Sequence, residues 1–248
     1  MTWNITIEWC EFLSAARILE VADFVKSIDP WDHLVSAHDQ GSSPPACEIT
    51  SGEALGSALH VDYASLQTSA GNVQSALAAN TLVTKYSGTM PTYAQEVTWE
   101  ASTKLTGRQV REGAWGVALG GAIVNYAEMF EGPNFRNPSN FGDGAALPDL
   151  EILLDFMESI PYYEMDPHNE LVNTGSICFA KPGTEYVVYR QHGGTFTLDL
   201  TGMTGTFDVE WLNPRTGSVI SSGQVAGGSS QSFAAQDNND WVLHIIPP

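Results

Sequence analysis

The chain has 248 residues, 43% of them hydrophobic, and a formal net charge of −19 with only 10 lysines and arginines. That length gives one large domain or two ordinary ones. The charge leaves no basic stripe to neutralise phosphates, so nucleic acid is excluded as a partner, and no apolar run is long enough to span a bilayer. Such acidity suits solubility and, in its extreme form, high salt.

The first segment, Asn4 to Phe12 in "NITIEWCEF", reads as a buried strand ending in a carboxylate. A helix follows in "SAARILEVADFVKSI", where Ile18, Val21, Ala22 and Val25 recur at helical spacing and Asp29-Pro30 stops the run. The apolar run "HLVSAH" comes next, then a polar loop, then a third run, "HVDYASLQ". A second helical pattern, "AGNVQSALAANTLVTKYS", precedes the run "MPTYAQEV". "TGRQVREGAWGVALGG" reads as a helix and "AIVNYAEMF" as a fifth strand. Repeated strand–helix order predicts parallel strands covered by helices.

A Gly/Pro/Asn-rich loop around Asn137 leads to the amphipathic helix "LPDLEILLDFMESI", with Leu150, Leu153, Leu154 and Met157 on one face. From about Asn173 the period becomes two. "SICFAK", "EYVVYRQ", "TFTLDLTG", "GTFDVEWLNP", "SVISSGQVAG", "SQSFAAQ" and "DWVLHII" are short runs separated by turn residues. They predict an antiparallel β-sandwich. The switch sets the expected domains: residues 1–170, α/β, and residues 171–248, a β-sandwich.

Cys10, Cys47 and Cys178 show no CxxC spacing, and no His/Cys cluster has zinc spacing, so neither a metal nor another cofactor is expected. Cys10 and Cys178 lie in apolar runs and read as buried thiols.

The segment from Pro182 to Ile245, with Tyr186 to Tyr189, "WLNPRTG" at Trp211 to Gly217 and Asp240-Trp241-Val242-Leu243, resembles the C-terminal β-sandwich known as a collagen-binding domain. In that family the sandwich follows a (β/α)8 barrel of the apiosidase-like glycoside hydrolase type. "MPTYAQEVTWE", "RQVREGAWGVALGGAIVNYA" and "FMESIPYYEMDPHNELV" resemble, in turn, a strand, a helix with the final strand, and the barrel–sandwich link of those proteins. The resemblance implies a partial (β/α)8 barrel of the TIM type that lacks its first strands, with "NITIEWCEF" as the fourth. It also implies a retaining, two-carboxylate glycoside hydrolase, or a fragment of one, acting on a plant or microbial polysaccharide. Relatives of this type are often secreted, although no signal peptide is visible in the sequence.

A retaining enzyme holds its two carboxyl groups about 5–5.5 Å apart, and barrel catalysts sit at the C-terminal ends of strands. Glu11 and Glu96 end two of the runs, and the resemblance makes them acid/base and nucleophile. Glu100, in "TWE", is the alternative second carboxylate. Cys10 precedes Glu11 where the family carries an asparagine. Glu8 is a further alternative to Glu11, but strand alternation puts the two on opposite faces. Trp99 and Tyr126 offer aromatic faces for sugar rings, and His38 and Gln67 offer polar groups at strand ends. Trp115, Trp211 and Trp241 read as core. The competing reading is a non-catalytic carbohydrate-binding or assembly protein built from a truncated barrel. An incomplete barrel exposes sheet edges, which predicts a homo-oligomer or, second, a separate polypeptide with the missing strands.

Overall fold

The structure is a computed structural model, and it describes residues 2–6, 13–38, 61–67, 75–87, 90–100, 105–128 and 144–248. The fold is mixed α/β with strands dominating. Glu8, Trp9, Cys10, Glu11, Cys47 and Asn137 lie outside the described residues.

Strand and helix alternate through the first part: β1 (Thr2–Asn4), α1 (Ala15–Ile28), β2 (Leu34–Ser36), β3 (Ala64–Gln67), α2 (Ala76–Ser87), β4 (Thr92–Glu100), α3 (Gly107–Ala118) and β5 (Ala122–Glu128). β1 pairs with β2 in parallel, and β3, β4 and β5 form a second parallel set in that order. A parallel bridge between His38 and Ser65 joins the two sets. Residues 7–12 of the expected opening strand lie outside the described residues. The β1 ladder continues past Asn4, with Ile5 N–H donating to Ser36 O at 2.9 Å and His38 N–H to Thr6 O at 3.1 Å.

Each helix starts and stops for a local reason. Ser14 accepts from Arg17 N–H and starts α1, whose Ile18 and Ala22 are fully buried. Thr106 and Gln109 form a capping box at the start of α3, each satisfying the other's backbone donor. α3 is buried from Val110 to Ala118, charged Arg111 and Glu112 included. α4 (Leu147–Ser159) has Pro148 in its first turn and no capping side chain from Ala146. Of its expected apolar face, Leu153 is buried and Leu154 is exposed.

Seven strands match the seven period-two runs: β7 (Ser176–Lys181), β8 (Glu185–Arg190), β9 (Thr195–Asp199), β10 (Thr206–Leu212), β11 (Val219–Ala226), β12 (Ser230–Ala234) and β13 (Trp241–Ile246). With the short β6 (Asp166–Pro167) they make an antiparallel six-stranded sheet ordered β11-β10-β13-β8-β7-β6 and a two-stranded sheet of β12 and β9. Phe196 and Leu198 of β9 share a buried core with Tyr186, Val188, Trp211 and Leu243 of the larger sheet. That sheet's other face packs on the α/β part. There Ala114 and Trp115 of α3 and its C-cap residue Leu119 meet Val187, Tyr189 and Val242 in one core cluster.

Polar contacts cross the same junction. Arg111 Nε and Nη2 donate to the two oxygens of Asp240 at 2.8 and 3.2 Å, and its Nη1 donates to Asp149 at 2.7 Å. Tyr189 Oη donates to Asp240 at 3.0 Å. Burial opposes the charge on Arg111, but its bonds to Asp240 and Asp149 outweigh that and hold its pKa above the ordinary guanidinium value. Gln191 bridges two helices: its Nε2 donates to Glu112 at 2.6 Å and its Oε1 accepts from Ala76 N–H at 3.1 Å. Among the described residues, no helix is long and apolar enough to cross a membrane.

Candidate active site

Parallel sheets place their functional groups at the C-terminal ends of strands, because the loops that follow are free to vary. Five of the six described candidates lie at or near such ends, and Glu96 lies midway along β4. His38 follows β2 and is fully buried. Gln67 ends β3 and faces Glu96 of β4 as its register partner; both are half-buried. Trp99 and Glu100 close β4, and Tyr126 lies near the end of β5. The partner of Trp99 across the ladder is Ala127, and that of Thr98 is Tyr126.

Glu96 owes its position to an irregularity. β4 slips register against β3 between Ser65 and Gln67, and against β5 between Ala94 and Thr98. The slip breaks the two-residue alternation, so Val97 and Thr98 are buried in succession. Bulges of this kind re-aim side chains and concentrate near active sites. Polar groups hold the distorted segment. Gln95 Oε1 accepts from Asn4 Nδ2 at 2.9 Å and from Ser65 Oγ at 2.5 Å. Gln95 O accepts from Asn125 Nδ2 at 2.6 Å, and Thr98 Oγ1 donates to Asn125 O. Asn4 on β1 thus reaches a side chain on β4, three strands away in the sheet, which requires strong curling. The sequence reading missed Asn4, Ser65, Gln95 and Asn125; their signal was polarity inside otherwise apolar runs.

The two carboxylates of β4 differ in their surroundings. Glu100 Oε2 accepts from Tyr126 Oη at 2.9 Å and from Ala146 N–H at 3.1 Å, and its Oε1 accepts from Ala145 N–H at 3.1 Å. Glu100 therefore caps α4, whose own N-cap residue is an alanine. The fit is close: a Cβ added at Gly144 would lie 1.9 Å from Tyr126 Oη and 3.0 Å from Glu100 Oε2. Glu96, four residues earlier, stands beside Gln67 instead. Among the described residues, no group of three or more His, Cys, Asp or Glu is placed to hold a metal ion.

Residues 168–246 match a family model described as "Putative collagen-binding domain of a collagenase". No curated protein matches the sequence. The fold is that of glycoside hydrolases. One solved structure named a glycoside hydrolase superposes with a TM-score of 0.73 at 15% identity, over 92% of this chain and 60% of its own. A family 5 glycoside hydrolase from Bacteroides vulgatus gives 0.73 at 16% identity, over 92% of this chain and 57% of its own. A candidate glycoside hydrolase from the same species gives 0.69 at 17% identity, over 99% of this chain and 51% of its own. The chain thus spans between half and three-fifths of the length of these structures.

Proposed function

We propose that the chain is the C-terminal part of a retaining glycoside hydrolase of the apiosidase-like type that acts on a plant or microbial polysaccharide. In this reading residues 1–170 are an arc of a (β/α)8 barrel and residues 171–248 a β-sandwich. The observation that carries it is Glu96, set midway along the parallel strand β4 by a register shift, beside Gln67 at the C-terminal end of β3, in a fold shared with glycoside hydrolases.

Glu96 is the nucleophile, and Glu11, outside the described residues, is the acid/base. Attack by the Glu96 carboxylate on the anomeric carbon forms a glycosyl-enzyme while Glu11 protonates the leaving oxygen. Glu11 then takes a proton from water as water displaces Glu96. Gln67 beside Glu96 hydrogen-bonds a sugar hydroxyl, and Trp99 and Tyr126 flank the sugar ring. Glu100 acts through structure, holding Tyr126 and the start of α4.

A panel of aryl glycosides and polysaccharides tests the reading. Hydrolysis should proceed with retention, and Glu96→Gln and Glu11→Gln should each lower kcat at least about a hundredfold. Full activity in either variant removes that residue from the mechanism. The second reading, a non-catalytic carbohydrate-binding protein, is favoured by the structural engagement of Glu100, which leaves Glu96 as the one candidate nucleophile on β4. Polysaccharide binding by a folded protein that cleaves no substrate would select it.

A further inference from the structure

Two stretches of the sandwich, "WLNPRTG" at Trp211 to Gly217 and Asp240-Trp241-Val242-Leu243, carry side chains that act inside the fold. Trp211, Asp240 and Trp241 are buried. The Arg215 guanidinium stands over the Trp241 ring, 5.4 Å from its centroid. Its Nε and its backbone N–H both donate to Asn213 Oδ1, at 2.9 and 3.0 Å. Its Nη1 lies 3.8 Å from Asp240, and its Nη2 lies 3.7 Å from Asp237. Asp237 in turn accepts from Trp241 Nε1 at 2.8 Å. Together these contacts hold Asp240 in place from the sandwich side.

From the other side, Asp240 grips Arg111 of α3 by two hydrogen bonds, and Arg111 grips Asp149 by a third. Asp149 lies in the first turn of α4. The planar, forked guanidinium fixes both carboxylates in direction as well as distance. Arg111 stands one turn after Gly107, the first residue of α3. A Cβ added at Gly107 would lie 2.9 Å from Glu100 Oε1 and 3.0 Å from Ala145 Cβ. The starts of α3 and α4 therefore close on Glu100 together.

Glu100 accepts from the amides of Ala145 and Ala146, at the start of α4, and from Tyr126 Oη. Tyr126 also packs on the cluster of Leu105, Val110 and Ala146. From Asp240 to Tyr126 the links are hydrogen bonds and a single turn of α4. A site group keeps its geometry only while the shell behind it is fixed, and here that shell begins in the sandwich.

We infer that Asp240 and Arg215 of the sandwich are positioning residues of the candidate active site. Acting through Arg111 and Asp149, they fix the start of α4 and so set Glu100 and the Tyr126 hydroxyl. The effect on Tyr126 rests on geometry alone; the effect on substrate rests on the reading of Tyr126 as a sugar contact.

The test places 3-fluorotyrosine at position 126 of the protein and reads its fluorine resonance in the folded state. A loss of stability alone changes the folded fraction, not the shift of the folded form. Asp240→Asn and Arg215→Gln should each displace the resonance by more than its line width. Asp208→Asn, at a β10 carboxylate bonded to Gln224, should leave it in place. If Asp240→Asn fails to fold, Arg215→Gln decides, since that side chain is partly exposed. An unmoved resonance in the deciding variant, or an equal displacement by Asp208→Asn, would overturn the inference. On any glycoside that the protein cleaves, the displaced variants should raise KM about fivefold or more with kcat nearly unchanged. A displaced resonance with an unchanged KM would overturn it too, because the substrate would not feel the alignment. If no glycoside is cleaved, a displaced resonance still supports the alignment, and the hydrolase reading alone falls.

Discussion

Glu96 and Glu100 stand four residues apart on one strand, and only their environments separate their roles. Glu100 supplies the acceptor that Ala146 lacks, so its loss should act on stability. Glu100→Ala leaves Tyr126 Oη and the amides of Ala145 and Ala146 short of an acceptor. A lost charged hydrogen-bond acceptor costs about 1–3 kcal/mol. Urea denaturation should show that loss for Glu100→Ala as a lower midpoint; an unchanged midpoint would show that Glu100 does not hold α4. Cys178 yields a second expectation. It is fully buried, and burial pushes its thiol well above the ordinary cysteine range, so the reactive thiolate does not form. Alkylation mapped at Cys178 should be absent in the native protein and complete after unfolding. The sequence disclosed the candidates at this scale because strand ends follow from hydrophobic runs. It did not disclose the bulge in β4 or the capping by Glu100, since both depend on residues brought together from β3, β5 and α4.

At the scale of elements, periodicity carried most of the fold. From α1 to β5 the strand–helix alternation, and all seven later strands, follow from apolar spacing, because burial on one face imposes it. What remained hidden is how elements approach one another. Gly116 on α3 looks like a weak point in a helix, yet an added Cβ would lie 2.1 Å from Ala76 O and 2.8 Å from Ala76 C. Helices α2 and α3 cross so closely here that only glycine fits. Gly116→Ala should gain ~1 kcal/mol of helix propensity but lose more through overpacking, typically about 1–3 kcal/mol and higher where backbone must move. Net destabilisation is therefore expected, measured as a lower urea midpoint at unchanged slope. A more stable variant would show that the crossing relaxes freely. Arg111 and Glu112 follow the same logic: charges on a helix buried nearly all round signal polar partners, but nothing local names Asp240, 129 residues away.

At the scale of the molecule, the question is whether a change of architecture near residue 171 is also a thermodynamic boundary. The antiparallel sheet begins with β6 at Asp166, before the switch in hydrophobic period. Its inner face does not stand alone. Trp115 of α3 stacks on Tyr189 of β8, with ring centroids 5.7 Å apart and planes 10° from parallel. Beside that stack, Arg111 is clamped between Asp149 and Asp240, which is 1% exposed. Removing Trp115 empties a site shared by both parts, and such truncations cost about 3–5 kcal/mol. Arg111→Ala removes the close partner of buried Asp240 and leaves Arg215 at 3.8 Å, and breaking a buried pair costs a similar ~3–5 kcal/mol. Against net stabilities of roughly 5–15 kcal/mol, neither part can shed the junction and keep its fold unaffected. The expected behaviour is one cooperative transition, in which amides of α3 and of β8 and β13 lose protection at the same denaturant concentration. Trp115→Ala and Arg111→Ala should lower both sets together. Hydrogen exchange read by mass spectrometry decides it: if β8 and β13 stay protected in either variant at concentrations where α3 has exchanged, the sheet is a separate folding unit and the junction a mere contact.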